Sequence, residues 1–352
     1  MAVTLKSQFA SDNTAGMCPE VLEAYVRANQ GRLPSYGNDA LTERASNLLR
    51  ELFETDCQVF FVFNGTAANS LALAACCQSY HSIICYEHAH IQADECGAPE
   101  FFSNGAKLLG VRGFNGKIAP AAIEELTVKR KDLHYPKPRV VSLAQSTELG
   151  TVYQLPELMA IREVAERLNL LTHMDGARFA NSVASLAVSP KAASWEAGIK
   201  VLCFGGTKLG MANSEAVIFF DRNLALDFEY RCKQAGQLAS KMRFHAAAWI
   251  AMLENGVWLK HAGHANRCAA LLAKRMTAEA GLLPAHPVEA NAVFVALPEN
   301  LARGLRARGW EIHEFVGGVI RFMCSWETRE ADIDAIVADM VAIQKQNPPS
   351  RL

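Results

Sequence analysis

The sequence has 352 residues, 50% hydrophobic and 20% charged, which excludes a globally disordered chain and suits one large domain or two modest ones. Its 35 basic and 36 acidic residues leave a formal charge of −1, so no overall field draws nucleic acid or an anionic membrane. The longest apolar runs, such as LALAACC (71–77), fall far short of the ~20 residues that span a bilayer. From the N-terminus, MAVTLKSQFASDN turns polar within a few positions and carries no hydrophobic core of a secretory signal, so a cytoplasmic protein is expected. Ten cysteines are scattered with no CxxC pair. They read as small hydrophobes kept reduced, not as a disulfide framework.

Short apolar runs then alternate with helical patterns, the texture of an α/β fold. VFFVFN (59–64) predicts a strand, and GTAANSLALAACCQ (65–78) a helix of small residues. SIICYE (82–87) and PRVVSLAQ (138–145) predict two more strands. PELMAIREVAERLN (156–169) predicts a helix, with Pro156 in its first turn and Leu158, Ile161, Ala165 and Leu168 on one face. LLTHMD (170–175), IKVLCFGG (199–206) and AVIFFD (216–221) complete the strands of a large domain. Residues 227–280 read as long helices. After GLLPAHP (281–287) the texture changes: NAVFVALP (291–298), WEIHEF (310–315) and VIRFMCSW (319–326) predict strands around helices at 299–308 and 328–345. A smaller C-terminal α+β domain is therefore expected. The boundaries assigned are 1–45 for an N-terminal segment, 46–255 for the large domain and 256–352 for the small one.

There is no GxGxxG after a strand, no GxxxxGK[ST], no GxSxG and no HExxH, so four common readings lack support. Cys85, His88, His90, Asp94 and Cys96 fall close together but lack zinc-ligand spacing, and no metal is expected. Three constellations lie at strand ends, where open α/β sheets place ligands. In NGTAAN (64–69), Gly65 and Thr66 open a helix whose free N–H groups suit a phosphate. In HMDGARF (173–179), Asp175 can hold a protonated ring nitrogen, and Arg178 a carboxylate. In FGGTKLG (204–210), Lys208 sits among small residues after an apolar strand, where partial desolvation favours a nucleophilic amine. Each motif alone is an ordinary turn. Jointly they supply a phosphate cup, a ring-nitrogen carboxylate and a Schiff-base lysine, which is what pyridoxal 5′-phosphate requires.

The chain resembles the threonine aldolase family of fold-type-I pyridoxal-phosphate enzymes, in the branch of low-specificity L-threonine and L-phenylserine aldolases. The resemblance is carried by FASDNTAGMCPE (9–20), YGND (36–39), NGTAANSLAL (64–73), AHI (89–91), DECGAPEFFS (94–103), HMDGARF, FGGTK (204–208) and IRFMCSW (320–326). It implies a large domain with a mostly parallel mixed sheet plus the smaller C-terminal domain. It also implies cleavage of β-hydroxy-α-amino acids to glycine and an aldehyde. By the same resemblance Lys208 is the Schiff-base lysine, Asp175 pairs with the pyridine nitrogen, and Gly65 and Thr66 hold the phosphate with Thr207 as a further contact. His90 stacks on the ring near the substrate hydroxyl. Ser11, Arg178 and Arg321 grip the substrate carboxylate. Arg243 reaches a phosphate across a subunit interface and Tyr36 lies at a shared site, which implies a homodimer or homotetramer.

Two departures stand out. Thr147 occupies the place of a second family histidine, leaving His90 or a water as the base, and the partner-subunit lysine is either Lys233 or Lys241. The alternatives are another reaction of the same cofactor (β-elimination, transamination or racemisation) and, from a different class, a non-catalytic protein binding pyridoxal phosphate or zinc.

Overall fold

The computed structural model describes residues 8–130 and 132–346. Residues 1–7 of the expected N-terminal segment and 347–352 of the expected C-terminal domain lie outside the described residues. Seven strands form one sheet: β1 (Gln58–Val62), β2 (His81–Tyr86), β3 (Lys107–Val111), β4 (Lys137–Ala144), β5 (Leu171–Gly176), β6 (Val201–Gly205) and β7 (Glu215–Phe219). Their spatial order is β1-β7-β6-β5-β4-β2-β3. From β3 across to β6 all pairings are parallel, and β7 runs antiparallel to β6 and β1. This is the mostly parallel mixed sheet the sequence led us to expect. β2, β6 and β7 are buried along their whole length, which is why they read as unbroken apolar runs and not as alternating ones.

The helix Gly65–Cys76 follows β1 and buries Ala68, Leu71, Ala72 and Leu73. Asn64 caps it, its side-chain oxygen accepting the Ala67 N–H at 2.9 Å. The helix Leu155–Arg167 buries Leu158, Ile161, Val164 and Ala165, while its Glu157 accepts the Gln154 N–H at 2.7 Å. The helical stretch after 227 resolves into Phe228–Gln234, Arg243–Leu253 and Val257–Ala280.

A second, antiparallel sheet of β8 (Ala292–Val295), β9 (Glu314–Phe315) and β10 (Val319–Met323) has the order β8-β10-β9. Leu272, Met276, Val293, Phe322, Ile333, Ile336 and Met340 form its core, which also takes in Phe9 from the N-terminal segment. Met323 N–H donates to the Phe9 carbonyl at 2.7 Å, so the N-terminal segment is stitched to this sheet.

One local expectation needs correction, and three elements are added. WEIHEF is a strand only at its last two residues. Trp310 donates to Asp339 at 2.8 Å and the Glu311 N–H to the Gln8 side chain at 2.8 Å, so that segment is anchored by side chains and not by a ladder. The edge strand β3 and the helices Pro19–Ala28 and Ala40–Phe53 were not expected from the sequence. All ten cysteines are unpaired, and only Cys96 is exposed.

Candidate active site

The carboxyl ends of β1, β2, β4, β5 and β6 and the start of β7 face one rim of the sheet, as the pairing registers require. Two adjoining cavities open there. One of about 210 Å³ is lined by Gly65, Thr66, His90, Asp175, Thr207, Lys208 and Glu215, among others. The other, about 360 Å³, shares His90, Asp175 and Lys208 and adds Ser11, Arg178 and Arg321. The three strand-end motifs thus meet around one space.

At the floor, Asp175 is buried near the end of β5. Its Oδ2 accepts from Asn69 Nδ2 at 2.9 Å and its Oδ1 from the Ala177 N–H at 3.0 Å. Burial pushes its carboxyl up, but His90, the Ala177 N–H, Lys208 and Asn69 together outweigh that and hold it below the usual carboxylate range. It is therefore an anion prepared to keep a proton on a ring nitrogen. The same Asn69 amide donates to Glu95 at 2.9 Å, and Glu95 in turn meets His90 Nδ1 at 2.8 Å. That contact, acting against burial, pushes the His90 ring above its ordinary value.

Lys208 follows β6 in a short helical turn, Thr207–Leu209. Burial and the nearby Arg178 push its ammonium down, favouring the free amine. Among the described residues its Nζ donates no hydrogen bond. Glu215, opposite at the start of β7, accepts from the Gly206 N–H at 2.7 Å and from Thr207 Oγ1 at 2.6 Å. Burial pushes the Glu215 carboxyl up to about 7. The Thr207 hydroxyl expected to face a phosphate therefore spends its proton on Glu215. At the helix Gly65–Cys76, Asn64 takes the Ala67 N–H and leaves Gly65 and Thr66 as first-turn donors. A methyl group placed on Gly65 would meet no atom within 4 Å, so the cradle is open.

Arg178 leaves β5 and is held by Asp12, Nε to Oδ2 at 2.8 Å and Nη2 to Oδ1 at 2.9 Å, leaving Nη1 for a ligand. Arg321, on β10, donates to the Ala10 carbonyl at 3.2 Å, and its Cζ lies 5.0 Å from the Phe315 ring centre. Burial and the facing Arg178 push Arg321 down to about 10. Two cations crowded into one cavity wall make an anion site. Ser11 lines the same cavity, and its Oγ accepts the Asn13 N–H at 3.2 Å.

Other expected residues lie elsewhere. Tyr36 and Arg243 line neither cavity of this chain. The Tyr36 N–H donates to the Ser240 carbonyl at 3.2 Å, and Lys233 Nζ sits 4.5 Å from the Tyr36 ring centre. Arg243 donates to the Gly31 carbonyl at 3.3 Å. Tyr36, Lys233 and the start of the Arg243 helix thus gather on one surface. Thr147 closes its own turn, its hydroxyl 2.8 Å from that of Thr151, and is buried. Within the 85–96 run, Cys85 is buried in β2 and Cys96 is exposed, while His90 and Glu95 gather with Asp175 at the cavity floor.

Sequence reading missed the residues that hold the expected ones: Asp12, Asn69, Glu95, Glu148, Glu215 and Asn291. Asn69 carried a signal as a polar residue inside the apolar run TAANSLALAA, and Asp12 and Glu95 stood inside FASDNTAGMCPE and DECGAPEFFS without being given a role.

Residues 8–300 match the family described as Beta-eliminating lyase. A low specificity L-threonine aldolase of Pseudomonas sp. (strain NCIMB 10558) is 57% identical over 337 residues, 96% of this chain and 97% of that protein. One from Pseudomonas aeruginosa is 60% identical over 322 residues, 91% of this chain and 93% of that protein. Among solved structures, a Leishmania major threonine aldolase superposes with a TM-score of 0.90 at 26% identity, covering 96% of this chain and 99% of that one.

Proposed function

This chain belongs to the beta-eliminating lyase family, in the branch that holds the low-specificity L-threonine aldolases, and from that premise we propose the roles of its residues. It is a pyridoxal-phosphate-dependent carbon–carbon lyase that cleaves L-threonine to glycine and acetaldehyde. The observation that carries the assignment of residues is the convergence of Gly65–Thr66, Asp175 and Lys208 on a single cavity.

The residues fit the cofactor. The open first turn at Gly65 and Thr66 would hold its phosphate, Asp175 its ring nitrogen and Lys208 its aldehyde carbon. When bound, the cofactor supplies the sink for the electron pair released at Cα. Everything else falls to the protein. Arg178 through Nη1, Arg321 and Ser11 hold the substrate carboxylate, which orients the scissile bond. Asp175, kept anionic by its neighbours, holds a proton on the ring nitrogen. His90, oriented by Glu95, lines the cavity where the ring would lie. Lys208, with its charge disfavoured by burial, would supply the free amine that holds the cofactor's aldehyde carbon.

The surface joining Tyr36, Lys233 and Arg243 lies off the cavities, which supports its contributing to the site of a second subunit in a homodimer or homotetramer. Thr207 lines the same cavity as Gly65 and Thr66 and would give the phosphate a further contact. We divide the chain at 1–45, 46–255 and 256–352, the helix Val257–Ala280 serving both cores. We place the protein in the cytoplasm, and extend its substrates to L-allo-threonine and phenylserine. The test is the product pair: glycine with aldehyde supports the reading, and keto acid with ammonia refutes it.

A further inference from the structure

Glu148 follows β4 at the rim and lines the larger cavity beside Lys208, Arg178 and Arg321. Its Oε1 accepts the backbone N–H of His90 at 3.1 Å, which fixes the carboxyl group. Its Oε2 is buried and, among the described residues, has no hydrogen-bond partner. Carboxylate oxygens of Glu20, Glu95 and Glu100 are also buried without a partner among the described residues, but of these four residues only Glu148 lines the cavities of the site, which points to a role with a ligand. Burial pushes this carboxyl up to about 7. The charged and titratable groups facing it are His90 and Arg178, the anion Asp175, and the neutral Tyr86, Tyr153 and Cys85. His90, with its Nδ1 held by Glu95, is the competing base at this rim.

We propose that Glu148 accepts the β-hydroxyl proton during aldol cleavage, an inference that rests on the function proposed above. The proton passes from the β-oxygen to Oε2, and the O–H electron pair becomes the second bond of the aldehyde carbonyl. The Cα–Cβ bond breaks, its pair remaining on the Cα side in the sink that the cofactor supplies. Glu148 then returns its proton to solvent.

The test is Glu148→Gln, which keeps the oxygen that accepts the His90 N–H and removes the basic one. The pH profile of kcat/KM for threonine cleavage is measured with holoenzyme, together with its visible absorbance and the exchange of the glycine α-proton in D2O. Cleavage is expected to fall by about 10²–10⁴-fold and to lose its acid limb near neutrality, while absorbance and glycine exchange remain. Cleavage that stays near the parent rate, or that falls only in step with glycine exchange, overturns the role. A second variant, His90→Phe, is expected to keep the acid limb. Loss of the limb in that variant with Glu148→Gln unaffected assigns the proton to His90 and likewise overturns the proposal. A parent protein that releases no aldehyde overturns the function itself; a parent that does, with an unimpaired Glu148→Gln, overturns only this role.

Discussion

Asp12 and Arg178, 166 positions apart, meet in a two-point ion pair with contacts of 2.8 and 2.9 Å. Asp12 also accepts from Asn291 Nδ2 at 3.0 Å, so one carboxylate ties together the N-terminal segment, the rim of the large sheet and the small one. Burial pushes Asp12 up, but the charge and hydrogen bonds of Arg178 outweigh it and bring the carboxyl down to about 2.

Removing one partner of a buried pair leaves an uncompensated charge, at a cost of about 3–5 kcal/mol. Asp12→Asn is therefore expected to lower unfolding stability by that order and to raise KM for threonine more than it lowers kcat. Because the folded value lies below the ordinary 3.8, the pair's stabilisation is present above 3.8 and lost as pH falls through about 2. Denaturant melts across acid pH check this: the gap between parent and variant narrows as the pH falls.

Asn69 donates to both Asp175 and Glu95 through one amide nitrogen. Asn69→Ala leaves two buried acceptors short of a donor, at about 1–3 kcal/mol each. Steady-state kinetics should show kcat down about 10–100-fold with KM little changed, since neither acceptor touches the carboxylate clamp. A KM-only effect would contradict the arrangement.

Glu215 gives the opposite pH sign to Asp12. Its folded value of about 7 exceeds the ordinary 4.5, so its contribution to stability is present below 4.5 and lost as pH rises through about 7. Glu148 adds the same slope. Melting temperatures of the apoprotein should fall across that window. In Glu215→Gln the fall should be shallower, because the amide does not titrate.

If Arg243 serves a neighbouring subunit, Arg243→Ala and Lys208→Ala are each impaired alone but complement on mixing and reassembly, since some sites then draw both native residues. Activity that does not rise on mixing contradicts a shared site.

The large sheet was legible because its buried strands are continuous apolar runs, and VLCFG in β6 could be little else. β3 was not, because KLLGV is short, interrupted by glycine and at an edge. WEIHEF misled because Trp310 and Ile312 are buried by packing and not by strand alternation. At the site, the residues expected to touch cofactor or substrate stood in compact motifs. Their supports were harder to assign: Asp12 and Glu95 stood inside motifs but with no role given, and Glu148 and Glu215 are ordinary acids in sequence. Their importance comes from burial against partners that only the fold brings near, as the 166-residue separation of Asp12 from Arg178 illustrates.

Borohydride reduction of the holoenzyme followed by peptide mass spectrometry reads the central relationship directly, by fixing the cofactor to whichever amine holds it. The pyridoxyl mass should appear on the peptide containing Lys208 and vanish in Lys208→Ala. The same mass on another lysine, or no adduct in protein that still releases glycine and acetaldehyde, would contradict the site described.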